Sequence, residues 1–228
     1  MKALILGAGR GSRMRPLTDT LPKPLLVGAG KRLIQWQIES LVRAGIQDIV
    51  INTAHLSECF PKLLGQSAYG ARLQYSCEGK DFSAALETLG GIVKALPLLT
   101  DGQEPFLVVA GDIVTDFDYR QLLAKREALL SGQIDAHLVL VDNPSFHKEG
   151  DMGVRNGWVC PEQKDYTFSS LGIYSPRLFQ GLQPSYAKLF PWLYQAGKIT
   201  AQVYRGRWDN VGTPQALAAL EPLPEPKS

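Results

Sequence analysis

The chain has 228 residues, 45% of them hydrophobic, which is enough to bury a large core in a single domain. Its formal net charge is only +2, which excludes a partner bound by general attraction to a nucleic-acid backbone. No apolar run approaches the ~20 residues of a membrane helix, and the short run Ala3 to Leu6 is broken at once by glycines and arginines, unlike a secretory leader. Cys59, Cys77 and Cys160 form no C-x-x-C pair, so no disulfide framework is expected and the protein reads as cytoplasmic.

Leu4-Ile5-Leu6 reads as an apolar strand that runs straight into Gly7-Ala8-Gly9-Arg10-Gly11-Ser12-Arg13-Met14-Arg15-Pro16-Leu17-Thr18, with Pro22-Lys23-Pro24 behind it. Gly7, Gly9 and Gly11 let the backbone come close to a ligand, so that successive N–H groups can face phosphate oxygens. From Met1 to Leu26, Lys2, Arg10, Arg13, Arg15 and Lys23 stand against Asp19 alone. The positive charge is therefore local and points to a small polyanion. Leu33, Ile34, Ile38, Leu41 and Val42 mark one helix face, which Gly45 closes before a strand at 48–52. A strand at 72–76, a helix at 87–96 and a strand at 105–110 follow. Leu122, Leu123, Leu129 and Leu130 suggest a helix before a strand at 136–141. This alternation predicts a parallel sheet with crossover helices. After Asp142, β-like stretches at 154–159 and 167–174 come close together, as in an antiparallel insertion. Helices at 185–195 and 214–220 flank a last strand at 200–204, and the Pro-rich end from Glu221 is expected to fray, leaving 1–220 as one domain.

Spacing separates the known phosphate loops. No G-x-x-x-x-G-K-[ST] string exists in the chain. A dinucleotide fingerprint would need a third glycine where Ser12 stands and an acid ending the next strand ~20 residues on, which Asn52 does not supply. Open α/β sheets bind ligands at the carboxyl ends of their strands, so Gly7 to Arg13, Asn52, Glu78, Asp112 and Asp142 are expected to converge on one cleft. Asp112, following an apolar strand and a glycine, places a carboxylate beside the phosphate loop, where Mg²⁺ is the natural partner. His55, His137 and His147 lack the spacing of a zinc site.

The composite G-A-G-R-G-S-R-M-R-P-L-T followed by P-K-P resembles the signature of the sugar-1-phosphate nucleotidyltransferases. Ala110-Gly111-Asp112 and Trp208-Asp209-Asn210-Val211-Gly212-Thr213 match two more of that family's motifs, so the resemblance spans the chain. Tyr75-Ser76-x-Glu78-Gly79, Gly90-Gly91, Leu138-Val139-Leu140-Val141-Asp142-Asn143-Pro144 and Tyr204-Arg205-Gly206 are similar to the N-acetylmuramate 1-phosphate uridylyltransferases within it. The resemblance implies a Rossmann-like α/β fold: a mixed, mainly parallel sheet flanked by helices, with a small antiparallel sugar-binding insertion. It implies uridylyl transfer from UTP to N-acetylmuramate 1-phosphate, giving UDP-N-acetylmuramate and pyrophosphate in cell-wall recycling. Glucose or mannose 1-phosphate with dTTP or GTP is the alternative within the class, and a non-catalytic nucleotide-sugar sensor the alternative outside it.

By the same resemblance, Arg13 with the amides of Gly11 and Ser12 holds the β,γ-phosphates, and Lys23 bridges the α-phosphate and the sugar phosphate. Gly7 and Gly9 complete the nucleotide loop. The segment 78–91 takes the base, with Gly90-Gly91 admitting the pyrimidine closely and Glu78 or nearby backbone reading its edge. Ala110, where an Asn is common, and Asp151 face the sugar. Asp112 and Asn210 hold Mg²⁺; Asn210 stands where the family has aspartate, with Asp209 one residue early, so either could complete the metal site. No nucleic acid or membrane partner is implied, and the expected state is a monomer or small homo-oligomer.

Overall fold

The computed structural model describes residues 1–79, 86–185 and 188–224. Strand β1 (Ala3–Leu6) is almost wholly buried, as an apolar run without polar alternation must be. The two-residue strands β2 (Val27–Gly28) and β3 (Lys31–Arg32) precede helix α1 (Leu33–Arg43), whose predicted face is the buried one. Strand β4 (Asp48–Thr53) follows, then helix α2 (Cys59–Leu64), which the sequence reading lacks. Only Phe60 and Leu64 of α2 are buried, too few for a periodic signal. Strands β5 (Ser67–Ala68) and β6 (Ala71–Cys77) form an edge hairpin, and α3 (Thr88–Leu99) leads back to β7 (Phe106–Ala110) and β8 (Ile113–Thr115). Two short helices, α4 (Arg120–Leu123) and α5 (Arg126–Leu130), stand where the leucine pattern suggested one, before β9 (Ala136–Asp142).

Beyond β9 the single stretch expected at 154–159 is a hairpin. Strands β10 (Gly153–Arg155) and β11 (Trp158–Cys160) are joined by Asn156 and Gly157, whose φ angles of 51° and 82° make the two-residue turn that Asn-Gly favours. Strand β12 (Tyr166–Tyr174), helix α6 (Leu189–Ala196), strands β13 (Ile199–Val203) and β14 (Trp208–Asn210) and helix α7 (Pro214–Ala218) complete the order.

The main sheet has ten strands in the order β10-β11-β13-β9-β12-β7-β1-β4-β6-β5. Its run β7-β1-β4-β6 is parallel, β12 lies antiparallel between β7 and β9, and the hairpin β10–β11 extends the sheet through β13 rather than forming a separate layer. Alternate residues of each central strand feed opposite faces. Ile5, Ile51 and Val109 pack with Ile34, Ile38 and Phe60 on one side; Leu4, Val50 and Val108 pack with Ile92 and Leu99 of α3 and Leu193 of α6 on the other. This is the mixed, helix-flanked α/β fold that the resemblance implies. Glu221 and Pro222, expected to begin a frayed tail, offer their carbonyls to the Arg207 guanidinium at 2.6 and 2.7 Å; 225–228 lie outside the described residues. Among the described residues no helix is long and apolar enough to cross a membrane.

His137 is buried in β9, with Nε2 3.0 Å from Gln202 Oε1 and Nδ1 2.8 Å from Thr200 Oγ1. Burial strips the charged ring of hydration and lowers its pKa from 6.5 to about 4. As pH falls, the unfolded chain takes up this proton first. Stability is therefore full above the ordinary histidine range and declines as pH drops from there towards 4, by up to about 3 kcal/mol. Thermal melts from pH 7 to pH 4 should show a steep loss of Tm in the parent protein and a shallower one in His137→Gln; equal slopes would clear the ring of responsibility.

Candidate active site

The carboxyl ends of β1, β4, β6 and β7 open onto one cleft of about 640 Å³. Gly7, Gly9, Arg10, Lys23, Asn52, Glu78, Ala110 and Asp112 line it, together with Glu87 and Thr88 at the start of α3. Asp142, expected here, does not. It is exposed and pairs with Arg205 at 3.5 Å, because β12 stands between β7 and β9 and sets the end of β9 two strands away.

Lys23 sits in a single turn of 3-10 helix (Lys23–Leu25) behind Pro22, only 8% exposed, and its ammonium is paired with the Asp112 carboxylate. The turn between β7 and β8 carries Asp112. A Cβ on Gly111 would stand 3.1 Å from the Leu6 carbonyl oxygen and 3.2 Å from Pro24 Cβ, so glycine lets this turn lie close against both β1 and the lysine turn. The Asp112 side chain stays 28% exposed towards the cleft.

Strand β14 pairs antiparallel with β8, Asn210 opposite Ile113, and Val211 N donates to Asp112 O at 3.2 Å. This short ladder returns the Trp208–Asn210 strand to the Gly111-Asp112 turn. Successive strand residues face opposite ways, and the Asp209 carboxylate accepts from Arg207 Nε at 2.7 Å on the side away from Asn210. Among the described residues no three His, Cys, Asp or Glu side chains gather to hold a metal. Asp112 is the carboxylate at this corner of the cleft, and Asn210 stands on the strand that returns beside it. A single carboxylate facing a phosphate cleft suits Mg²⁺, which takes few protein ligands and fills its sphere with substrate phosphates and water. Gly11, Ser12 and Arg13 lie beyond the cleft's lining; Arg13 is exposed and its guanidinium approaches Gly212, 3.6 Å from where a Cβ there would stand.

Glu78 is 6% exposed, and both its carboxylate oxygens are engaged. One accepts from Asn52 Nδ2, the other from Leu86 N at 2.7 Å, while Asn52 Oδ1 accepts from Ala8 N at 3.2 Å. Burial raises the Glu78 pKa above the usual carboxylate value, against these donors. A Cβ on Gly91 would come within 2.6 Å of Glu78 Oε1 and 2.9 Å of Asn52 Nδ2, so α3 reaches this network only because Gly91 is bare. Gly90 faces the other way, with the Ser185 carbonyl oxygen where its Cβ would be, and lies outside the cleft. Sequence reasoning named Gly90-Gly91 together for the base; the structure sets Gly91 against Glu78 and turns Gly90 away. Residues 80–85 of the expected base segment lie outside the described residues. Asp151 also lies beyond the cleft's lining: its carboxylate meets His147 Nε2 at 3.0 Å and accepts from Phe168 N at 2.8 Å.

Residues 2–147 match the Nucleotidyl transferase family. The chain belongs to that family. It is 46% identical, over 98% of its length and 98% of the relative's, to the N-acetylmuramate alpha-1-phosphate uridylyltransferase of Neisseria meningitidis serogroup B. To the mannose-1-phosphate guanylyltransferase catalytic subunit beta of Danio rerio it is 32% identical, over 94% of its length and 62% of the relative's. In fold it is similar to a candidate glucose-1-phosphate thymidylyltransferase of Bacillus anthracis, solved with sucrose, at TM-score 0.78 and 22% identity, covering 95% of this chain and 92% of that one. The protein is a sugar-1-phosphate nucleotidyltransferase, as its composite loop motif implies.

The glycines separate structural from ligand constraints. Nothing lies within 4 Å of where a Gly9 Cβ would stand, although Gly9 lines the cleft. Gly9→Ala should leave Tm within about a degree and raise KM for the nucleotide, whereas Gly91→Ala should cost about 1–3 kcal/mol of stability through the forced contact with Glu78. Thermal melts and nucleotide titrations of both variants check the contrast; a Gly9→Ala protein with the parent's KM would remove Gly9 from the ligand site.

Proposed function

We propose that the protein transfers uridylyl from UTP to N-acetylmuramate 1-phosphate, releasing pyrophosphate and forming UDP-N-acetylmuramate, with Mg²⁺, in the cytoplasm and in cell-wall recycling. The observation that carries the reading is the buried Lys23–Asp112 pair facing a cleft edged by the glycine loop; the relative at 46% identity supports the choice of substrates. In this reaction a phosphate oxygen of the sugar 1-phosphate attacks the α-phosphorus of UTP in line, and the bond from that phosphorus to the bridging oxygen of pyrophosphate breaks. Nucleophile and electrophile are both anionic, so the protein's work is alignment and neutralisation of charge.

Lys23, held in place by Asp112 and largely out of water, supplies positive charge to the α-phosphate and the incoming sugar phosphate where it is least screened. The amides of the loop Gly7 to Ser12 and the Arg13 guanidinium serve the β,γ-phosphates. Asp112 and Asn210 would hold Mg²⁺, which when bound neutralises phosphate charge. Glu78 fixes the Leu86 backbone and, through Asn52, the Ala8 amide, so the backbone beside Glu78 reads the uracil edge while its carboxylate positions that backbone. Ala110 and Asp151 border the sugar. Residues 1–220 act as one domain, in a monomer or small homo-oligomer.

Pyrophosphate release measured with UTP, dTTP, GTP and ATP against N-acetylmuramate, glucose and mannose 1-phosphates should give the highest kcat/KM for UTP with N-acetylmuramate 1-phosphate. A preference for GTP with mannose 1-phosphate would overturn the assignment. Lys23→Ala and Arg13→Ala should each lower turnover by about 100-fold or more with little change in Tm for Arg13→Ala, since each removes charge acting on the phosphoryl groups.

Magnesium titration tests the corner formed by β8 and β14. Asp112→Asn should abolish turnover, and Asn210→Asp should lower the Mg²⁺ concentration giving half-maximal rate by adding a charge to the coordination sphere. Asp209→Ala should leave the Mg²⁺ requirement where it is, because Arg207 already engages that carboxylate. A raised requirement in Asp209→Ala together with none lowered in Asn210→Asp would move the ligand to Asp209.

A further inference from the structure

A bulge in β12 borders the cleft. Phe168 pairs with Leu140 of β9 and Leu171 with the next residue, Val139, so Ser169 and Ser170 have no place in that ladder. On its other side β12 pairs with β7 only from Leu171 onwards. The bulge is therefore where β12 parts from β7, and Ser170 lines the cleft there. Its φ of 64° is left-handed, a conformation that strains a residue with a Cβ and persists only where the surroundings hold it. Bulges of this kind re-aim side chains next to active sites.

Ser169 anchors the bulge at two points. Its fully buried hydroxyl donates to Val139 O at 2.7 Å and pins the bulge to β9. Its carbonyl oxygen accepts from the Trp208 indole Nε1 at 3.0 Å. Trp208 begins β14, opposite Thr115 of β8, and Phe146 stacks on the indole with ring centroids 6.4 Å apart. The same short segment thus reaches two sides of the cleft: Trp208 holds the β12 bulge, and Val211 N holds the Asp112 carbonyl.

The geometry points to Trp208 as a positioning residue: by holding the Ser169 carbonyl, its indole N–H keeps Ser170 in the left-handed conformation against the cleft, on the wall that takes the sugar phosphate. The choice of wall rests on the functional reading above. Glu78 and Asn52 stand at the ends of β6 and β4, the glycine loop follows β1, and the sheet order sets β12 beyond β7, away from both. Once the indole bond is lost, the strained bulge relaxes and Ser170 leaves that wall. Glycine at 170 takes a positive φ without strain, so there the bond is no longer needed.

Trp208→Phe, which keeps a ring and removes the donor, is made in the parent protein and in Ser170→Gly, and KM is measured for N-acetylmuramate 1-phosphate and for UTP, each with the other saturating. In the parent background the sugar phosphate KM should rise about tenfold and the UTP KM should hold. In the Ser170→Gly background the same replacement should raise the sugar phosphate KM less than about twofold, because the strain is gone. Equal rises for both substrates, the same rise in both backgrounds, or a fall in Tm with neither KM moved would make Trp208 a packing residue and overturn the proposal. Hydrogen exchange of the 169–172 amides in the ligand-free protein reads the bulge without turnover, and Trp208→Phe should speed it more in the parent than in Ser170→Gly. If the parent turns over no sugar 1-phosphate, the functional reading fails, and exchange left unchanged by Trp208→Phe would overturn the latch as well.

Discussion

The contact on which the site depends is the one between the Lys23 ammonium and the Asp112 carboxylate. Removing a lysine from water costs several kcal/mol unless a partner stands against it, so a lysine this buried requires its carboxylate at contact distance. That requirement reaches into the fold. The lysine turn must lie on the Gly111-Asp112 turn, where a Cβ at 111 would crowd Leu6 and Pro24. The Asp112 carbonyl is in turn fixed by β14 through Val211. Loop, turn and returning strand come from three distant parts of the sequence, and the ion pair is where they agree.

A second network ties the base side of the cleft to the phosphate side. The Glu78 carboxylate holds Leu86 N and the Asn52 amide, and the Asn52 oxygen holds Ala8 N. Each polar group in this chain is satisfied by the next, so the orientation of the Asn52 amide is fixed by the donors and acceptors around it. A shift at the start of α3 is therefore felt by the glycine loop without passing through any ligand. The buried carboxylate is destabilised by desolvation, which is tolerable because two donors converge on it.

Elements with their own periodicity were legible in the chain: β1 with its loop, α1 with Leu33, Ile34, Ile38 and Leu41 on one face, and β4. The phosphate loop and the Gly-Asp turn could be placed because strand ends in such sheets carry the ligand. What stayed hidden is defined by contacts distant in sequence. Strands β8 and β14 are three residues each and exist through their pairing with one another, which leaves no alternation to read. Gly90 and Gly91 are equivalent in the sequence; about 100° of helix rotation separates them, and only the docking of α3 decides which one meets Glu78. Asp142 was expected at the cleft because nothing local announces that β12, though later in the chain, inserts between β7 and β9. The hold of Arg207 on Glu221 and Pro222 is likewise invisible in a Pro-rich tail.

The two ends of the main sheet are β5, with two residues, and β10, with three. A broad sheet with long open margins would offer a row of free N–H and C=O groups to any extended chain that met it, the usual route to runaway aggregation. Here those outermost strands are short, but they cover only part of the strands inside them: β5 meets β6 at Ala71 and Arg72, and β11 meets β13 at Thr200. Among the described residues, the backbone of β6 from Gln74 to Cys77 and of β13 at Gln202 and Val203 has no strand beside it on that side. Growth of the sheet by an added strand is therefore decided at these two inner stretches, and not at the short strands that nominally end it.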